Sequence, residues 1–148
     1  SPQVGRAAPS VRATTLDGES FDLSRRKGSW VVLNFFWSQC VPCKAEHPEL
    51  VKFVEQQATF DNGAELYTIA QDIDSEADVR AFFDERGGAW PALRDEDGLV
   101  YVSFGVSQVP ETFIVDPDGV VRVRWAGQVD AITLSQLVQQ QRDLYEAS

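Results

Sequence analysis

The feature that most constrains this chain is an apolar run that ends just before its only two cysteines, Cys40 and Cys43. Residues 30–36 are rich in β-branched and aromatic side chains and follow a Gly-Ser pair, which predicts a buried central strand. From residue 41 to about residue 57 apolar residues recur at helical spacing. The predicted inner face of this helix is Ala45, Leu50, Val51, Phe53 and Val54. The two cysteines therefore lie at a strand-to-helix junction.

Strands and helices alternate along the rest of the chain, which predicts an α/β domain with a central mixed β-sheet flanked by helices. The further predicted elements are strands at 65–70, 111–115 and 120–125, helices at 75–86 and 133–145, and a short helical turn at 99–104. Asp-Pro-Asp-Gly at 116–119 predicts a hairpin between the last two strands. Thr133 and Gln136 form a predicted capping box. The last helix is expected to turn Leu134, Leu137, Val138 and Leu144 inward.

Length favours one domain over residues 1–148, with 1–28 as a loosely structured, irregular N-terminal extension that turns at residues 16–19, and 29–148 as the core. Net charge is −10, and the 13 basic residues are scattered, which argues against nucleic acid or an anionic membrane surface as a partner. The longest apolar run is too short to span a bilayer. The chain begins at Ser1 and has no methionine, so we expect a trimmed form whose targeting segment has been removed.

The spacing of Cys40 and Cys43 indicates a redox pair. A disulfide that closes so short a loop stabilises a fold by about 2 kcal/mol at best, against about 3 kcal/mol for a loop of about 15 residues. A helix N-terminus lowers the pKa of a thiol, so Cys40 is the expected attacking thiolate and Cys43 the resolving thiol. Two alternatives stay open: half of a zinc site, with His47 as the only further soft ligand, and a buried reduced pair. We expect no metal and no organic cofactor.

Two sequence blocks resemble one family. Residues 34–48, Asn-Phe-Phe-Trp-Ser-Gln-Cys-Val-Pro-Cys-Lys-Ala-Glu-His-Pro, resemble the active-site strand and helix of the thioredoxin superfamily. The final Lys-Ala-Glu-His-Pro is similar to the extracytoplasmic group that includes TlpA, ResA and CcmG/DsbE. Residues 105–116, with Pro-Glu-Thr-Phe at 110–113, are especially similar to the CcmG/DsbE signature. The resemblance covers roughly residues 5–145 and implies a thioredoxin-like fold.

The resemblance also implies roles for single residues. Pro110 would follow a cis peptide bond after Val109 and face the cysteines across a substrate groove. Glu46 matches an acidic residue that influences thiol pKa in this group. Asn34 stands where cytoplasmic thioredoxins have a buried aspartate that assists proton transfer, so the proton-transfer role falls to Glu46 or to water.

The wall beside the cysteines departs from the family pattern. Gln39 replaces the usual tryptophan before the first cysteine, and Trp37 stands at a position that is normally small. The predicted substrate-binding residues are Gln39, Trp37, Val109 and Glu111. Several plainer interpretations compete with functional ones: Glu46 as a solvated helix residue, His47 as an exposed one, Glu111 as a strand-edge charge, and Trp30, Trp90 and Trp125 as packing residues.

The resemblance predicts an extracytoplasmic thiol–disulfide oxidoreductase, expected to act as a monomer and to have an anchor outside this sequence. Its client would be a protein with a cysteine pair, with apocytochrome c during cytochrome c maturation as the first candidate and a membrane thiol carrier as electron donor. The alternatives are a general oxidant or isomerase, a peroxidase of the peroxiredoxin type, and a non-catalytic holder of an unfolded apoprotein. Leu33 and Trp37 stand where peroxidase chemistry places proline and threonine.

Overall fold

A computed structural model of the chain describes residues 3–148, so residues 1 and 2 of the predicted extension lie outside it. Within this range seven strands form one sheet in the order β2-β1-β5-β4-β3-β6-β7. The strands are β1 (Arg12–Thr15), β2 (Ser20–Asp22), β3 (Val31–Phe36), β4 (Glu65–Ala70), β5 (Ala92–Arg94), β6 (Glu111–Val115) and β7 (Val121–Ala126). The helices are α1 (Val41–Gln57), α2 (Glu76–Arg86), α3 (Leu99–Phe104) and α4 (Ala131–Ala147), and a 3-10 turn covers Leu23–Arg26. This mixed sheet flanked by helices confirms the predicted thioredoxin-like architecture.

The central strand β3 is buried along its whole length. It runs parallel to β4 and antiparallel to β6. Its side chains alternate between the two faces of the sheet, as a strand requires. Leu33 and Phe35 pack in a cluster that contains Tyr101 and Phe104 of α3. Val32 packs on the opposite face in a cluster with residues of α1 and α4. The carboxyl end of β3 therefore emerges between two packed layers, directly ahead of the cysteines.

The irregular extension predicted before residue 29 is wrong in its local structure. β1 and β2 form a hairpin, and β1 also pairs with β5, so this segment is part of the sheet. Gly18 has a φ of 85° in the connecting turn, a conformation that favours glycine. Buried Val11, Phe21 and Leu23 fix the segment to the core. β5, which was not predicted, has only three residues, too few for a visible alternating pattern.

Several helix details also differ from the prediction. Helix α4 starts at Ala131 because Asp130, rather than Thr133, caps it: the Asp130 carboxylate accepts the Thr133 N–H at 2.7 Å. Leu144 was expected inward but is 64% exposed, and its neighbour Tyr145 packs against Trp30 instead, with ring centroids 5.6 Å apart. In α1 the predicted inward Ala45 is exposed, and its neighbours Glu46 and His47 are buried instead. The inner face of α1 thus carries polar groups next to the cysteines.

Other bounds agree with the sequence prediction. α1, β4, α3 and β6 have the predicted limits, and β3, α2 and β7 differ by a single residue at one or both ends. The turn at 116–119 closes as expected, with the Gly119 N–H donating to the Asp116 carbonyl at 2.9 Å. Trp30 and Trp90 are buried packing residues, and Trp125 is half-buried. No helix within residues 3–148 is long and apolar enough to cross a membrane.

Candidate active site

Cys40 and Cys43 form a disulfide at the junction between β3 and α1, with their Cα atoms 5.2 Å apart. Cys40 is the N-cap of α1, and its sulfur accepts the Cys43 N–H at 3.2 Å. Unpaired N–H groups and the helix dipole favour a negative charge at this position. Both cysteines are buried, and Cys43 is the more enclosed, at 3% exposure against 7% for Cys40. The arrangement allows Cys40 to react first and Cys43 to follow.

A cis peptide bond between Val109 and Pro110 lies beside the cysteines, as the resemblance implied. The Cys40 sulfur is 3.7 Å from the Val109 carbonyl oxygen. Pro110 immediately precedes β6, which pairs with β3, so the sheet itself brings the two chain segments together. Val109 is half-buried and packs against the cluster that contains both cysteines. Cys40, Cys43, Val109 and Pro110 therefore lie together at the carboxyl end of the central strand β3.

Glu46 is buried at 2% exposure, so its interpretation as a solvated helix residue is wrong. One carboxylate oxygen accepts the Asn34 side-chain N–H at 3.0 Å, and the other accepts the Val129 backbone N–H at 3.0 Å. Burial raises the pKa of Glu46 to about 7, although both hydrogen bonds oppose the shift. The Asn34 amide also donates to the Thr112 hydroxyl at 3.1 Å. A carboxyl group that can change its charge near neutral pH therefore lies one helical turn after Cys43.

Glu111, Gln39 and Trp37 lie in different environments. Glu111 is buried in β6, between β3 and β7, and forms an ion pair with Arg124, so its interpretation as a strand-edge charge is wrong. Gln39 is exposed, and its amide donates to the Ser38 hydroxyl at 3.2 Å. Trp37 is half-buried against the cluster that holds the cysteines. Their predicted contact with a substrate stays a prediction.

His47 was expected on the surface but is 3% exposed. Its Nε2 lies 2.7 Å from the Gly87 carbonyl oxygen at the end of α2. Aromatic rings surround the imidazole, with the centroids of Phe82 and Trp90 at 4.9 and 5.0 Å. Burial lowers the pKa of His47. The residue therefore joins α1 to α2 as a neutral ring. Among residues 3–148, no group of three histidine, cysteine or carboxylate side chains is arranged to hold a metal ion.

The sequence analysis missed two polar groups beside the cysteines. Buried Asp74 accepts hydrogen bonds from both the backbone N–H and the hydroxyl of Ser38, two residues before Cys40. The hydroxyl of buried Tyr101 accepts the Phe36 N–H at 3.1 Å and lies 2.6 Å from the Ile69 carbonyl oxygen. Asp74 lies in the loop between β4 and Ser75, the N-cap of α2, and its partner is 36 positions away, so no local pattern indicated it.

Comparison with known proteins agrees with this geometry. Residues 4–124 match the model of the AhpC/TSA family. A thiol:disulfide interchange protein DsbE homolog of Paracoccus denitrificans is 37% identical over 131 residues, which cover 86% of this chain and 68% of the relative. The thiol–disulfide oxidoreductase ResA of Bacillus thuringiensis is 29% identical over 119 residues, covering 80% of this chain and 67% of ResA.

Solved structures give the same result. The thioredoxin domain of a thiol–disulfide oxidoreductase from Bacteroides vulgatus superposes with a TM-score of 0.79 at 26% identity, covering 93% of this chain and 96% of that one. The family model thus covers most of the chain, and the fold agrees with that of a solved oxidoreductase domain. The chain therefore belongs to the AhpC/TSA family of thioredoxin-like proteins and, within it, is a thiol–disulfide oxidoreductase of the DsbE/ResA type.

Proposed function

We propose that this enzyme reduces disulfides in extracytoplasmic client proteins, with Cys40 as the attacking thiol. The observation that carries the proposal is the position of the Cys40 sulfur. It accepts an N–H at the start of α1 and lies 3.7 Å from the carbonyl oxygen that precedes the cis-proline. The first contact favours a thiolate, and the second places this sulfur beside a backbone segment with which an extended client can align.

The proposed reaction is a pair of thiol–disulfide exchanges. The Cys40 thiolate attacks one sulfur of the client disulfide, forms a mixed disulfide and releases the other client sulfur as a thiolate. Cys43 then loses its proton and attacks the Cys40 sulfur, which releases the client's second thiolate. Cys40 and Cys43 end as a disulfide, and the two electrons they held are now on the two client thiols. A thiol donor in the membrane would return the enzyme to its reduced form.

Glu46 is the proposed proton acceptor for Cys43. Both residues are buried on the inner side of α1, one turn apart. A general base is most effective when its pKa lies near the working pH, and the pKa of Glu46 is about 7. Asn34, in place of a carboxylate, gives Glu46 a neutral donor, so Glu46 has no second carboxylate with which to share the proton.

The client and location are the finer part of the proposal. Similarity to DsbE and ResA proteins supports a role outside the cytoplasm, with an apocytochrome c cysteine pair as client. A Cys40→Ser, Cys43→Ser variant is expected to abolish the maturation of c-type cytochromes in cells that lack the native enzyme. Cys43→Ser by itself should trap the client as a mixed disulfide, which mass spectrometry would identify. Full maturation with the double variant would leave only a non-catalytic holding role.

The direction of electron flow is tested by equilibration with glutathione. We expect a reduction potential close to the value of about −270 mV that is typical of thioredoxin. A value near about −120 mV would contradict the proposed reductant and support a general oxidant. The same titration on Glu46→Gln tests the role of the carboxylate, because that variant keeps both cysteines and the size of the side chain.

A further inference from the structure

A second buried carboxylate, which the exchange reactions above do not use, binds the active-site turn from a neighbouring loop. Asp74 lies between β4 and α2 and is 4% exposed. Its oxygens are 2.8 Å from the Ser38 backbone nitrogen and 2.6 Å from the Ser38 hydroxyl oxygen, and both Ser38 groups donate. Hydrogen bonds to an ionised carboxylate are short and roughly twice as strong as neutral ones. Asp74 thus satisfies both donors of a single residue.

Ser38 belongs to the turn that connects β3 to Cys40, the N-cap of α1. The Cys40 N–H donates to the Trp37 carbonyl at 3.0 Å, which closes this turn around Ser38. The loop that carries Asp74 is fixed in the same region: the Asp74 N–H donates to the Gln71 carbonyl at 3.0 Å. The Gln71 N–H in turn donates to the Phe36 carbonyl at 3.3 Å. Two loops are therefore tied together immediately before the cysteine.

We propose that Asp74 and Ser38 are positioning residues that hold the Cys40 sulfur against the N-terminus of α1. The proposal rests on the role of Cys40 as the attacking thiol. A sulfur at the N-cap benefits from helix N–H groups only while it points at them, and its contact with the Cys43 N–H is 3.2 Å long. Release of the turn would let Cys40 move away from that contact. The thiolate would lose stabilisation, while the rest of the sheet would keep its contacts.

Three single variants of the 148-residue chain test this: Ser38→Ala, Asp74→Ala and Asp74→Asn. The reduced proteins are alkylated with iodoacetamide across a pH series, modification of Cys40 is followed by peptide mass mapping, and thermal unfolding is recorded in parallel. Ser38→Ala and Asp74→Ala should raise the pH midpoint for Cys40 and slow its alkylation at pH 7 at least threefold. Asp74→Asn should not raise the midpoint, because its amide can still accept the Ser38 N–H and donate to the Ser38 hydroxyl. If Asp74→Ala does not fold, Ser38→Ala decides the outcome.

The chain offers a matched control. Asp22 also accepts the backbone N–H and the hydroxyl of a serine, those of Ser24 at 3.0 and 2.8 Å, both at one carboxylate oxygen and in a region away from the cysteines. Ser24→Ala should leave the Cys40 profile unchanged. The proposal is overturned if Ser38→Ala lowers thermal stability without moving the profile, or if Asp74→Asn and Asp74→Ala raise the midpoint equally, since the hydrogen bonds that the amide keeps to Ser38 would then have no effect on the thiol. A wild-type midpoint of about 8.5 or higher would instead contradict the activated thiol itself, and with it both proposals.

Discussion

At the two ends of the β3–β4 pair, carboxylates have different hydrogen-bond donors and opposite pKa shifts. Near the start of β3 and β4, Glu65 receives two hydrogen bonds from the Arg26 guanidinium, at 2.9 and 2.5 Å. Burial works to raise the pKa of Glu65, but the bonds from Arg26 and Tyr67 outweigh it, and the net shift is downward. At the end that holds the cysteines, Glu46 and Asp74 receive hydrogen bonds from neutral donors only, and burial raises the pKa of both.

This difference shows that the charge of the hydrogen-bond donor determines whether a carboxylate stays ionised or can take up a proton. An arginine partner keeps a carboxylate charged at every physiological pH, which suits a fixed contact. A neutral amide or hydroxyl satisfies the oxygens without fixing the charge, so burial decides the pKa. Glu46, whose pKa is raised to about 7, therefore lies at the end of the sheet where protons must move with electrons.

The largest expected effect concerns Glu46. Its pKa of about 7 in the folded state exceeds the ordinary value of 4.5, so the folded protein binds a proton more readily than the unfolded chain between these values. Stability is therefore greatest below about pH 4.5 and falls as the pH rises through about 7, by about 3 kcal/mol from this group. Urea unfolding of wild type and Glu46→Gln across this window measures the effect. The variant should lack this part of the slope; equal slopes would mean that Glu46 titrates normally.

Arg124→Met tests whether a third carboxylate, Glu111, depends on its arginine partner. Glu111 follows the cis-proline and pairs with Phe35 near the end of β3, yet it has an arginine partner whose guanidinium also lies 5.1 Å from the Phe113 ring centroid. Removal of Arg124 leaves the buried Glu111 without its cation, which we expect to cost about 2 kcal/mol of unfolding free energy at pH 7. Denaturant titration gives the value. A loss below about 0.5 kcal/mol would show that Glu111 is solvated and would place it with the surface acids.

The smallest effect is expected at the opposite end. Arg26 and Glu65 are partly exposed, with side-chain exposures of 40% and 27%, so solvent screens their attraction. Arg26→Met should cost about 0.5–1 kcal/mol at neutral pH. Because the pKa of Glu65 is lowered, its contribution is present above the ordinary value and disappears as the pH falls. Alkylation of Cys40 should not change in this variant. A slower reaction would mean that the two ends of the sheet are coupled.

Most of the elements could be predicted from local sequence patterns, and the features that were missed depend on long-range contacts. The limits of α1 and β4 follow from apolar periodicity within one segment, and the place of Cys40 follows from the junction between a strand and a helix. β1 could not be read in this way, because it has four residues and acquires its role by pairing with β2 and β5.

The burial of His47 likewise depends on distant residues. Its ring is enclosed by Phe82 and Trp90, and its nitrogen meets the Gly87 carbonyl. The sequence does not indicate the role of Asp74 for the same reason, since its partner Ser38 lies 36 positions away. Glu46 shows the intermediate case: the family resemblance indicated a functional acid, but its burial and its bond to Val129 required the fold.

The Tyr101 hydroxyl has a consequence for the motions of the site. It accepts the backbone N–H of Phe36, the last residue of β3, and its oxygen also lies within hydrogen-bond distance of two carbonyls, those of Phe36 and Ile69. Strand ends commonly fray, and their amide protons then exchange rapidly with solvent deuterium. Here the Tyr101 side chain of α3 binds Phe36 at the end of β3 and opposes fraying. The Phe36 amide proton, four residues before Cys40, should therefore exchange with deuterium more slowly than that of an ordinary strand end.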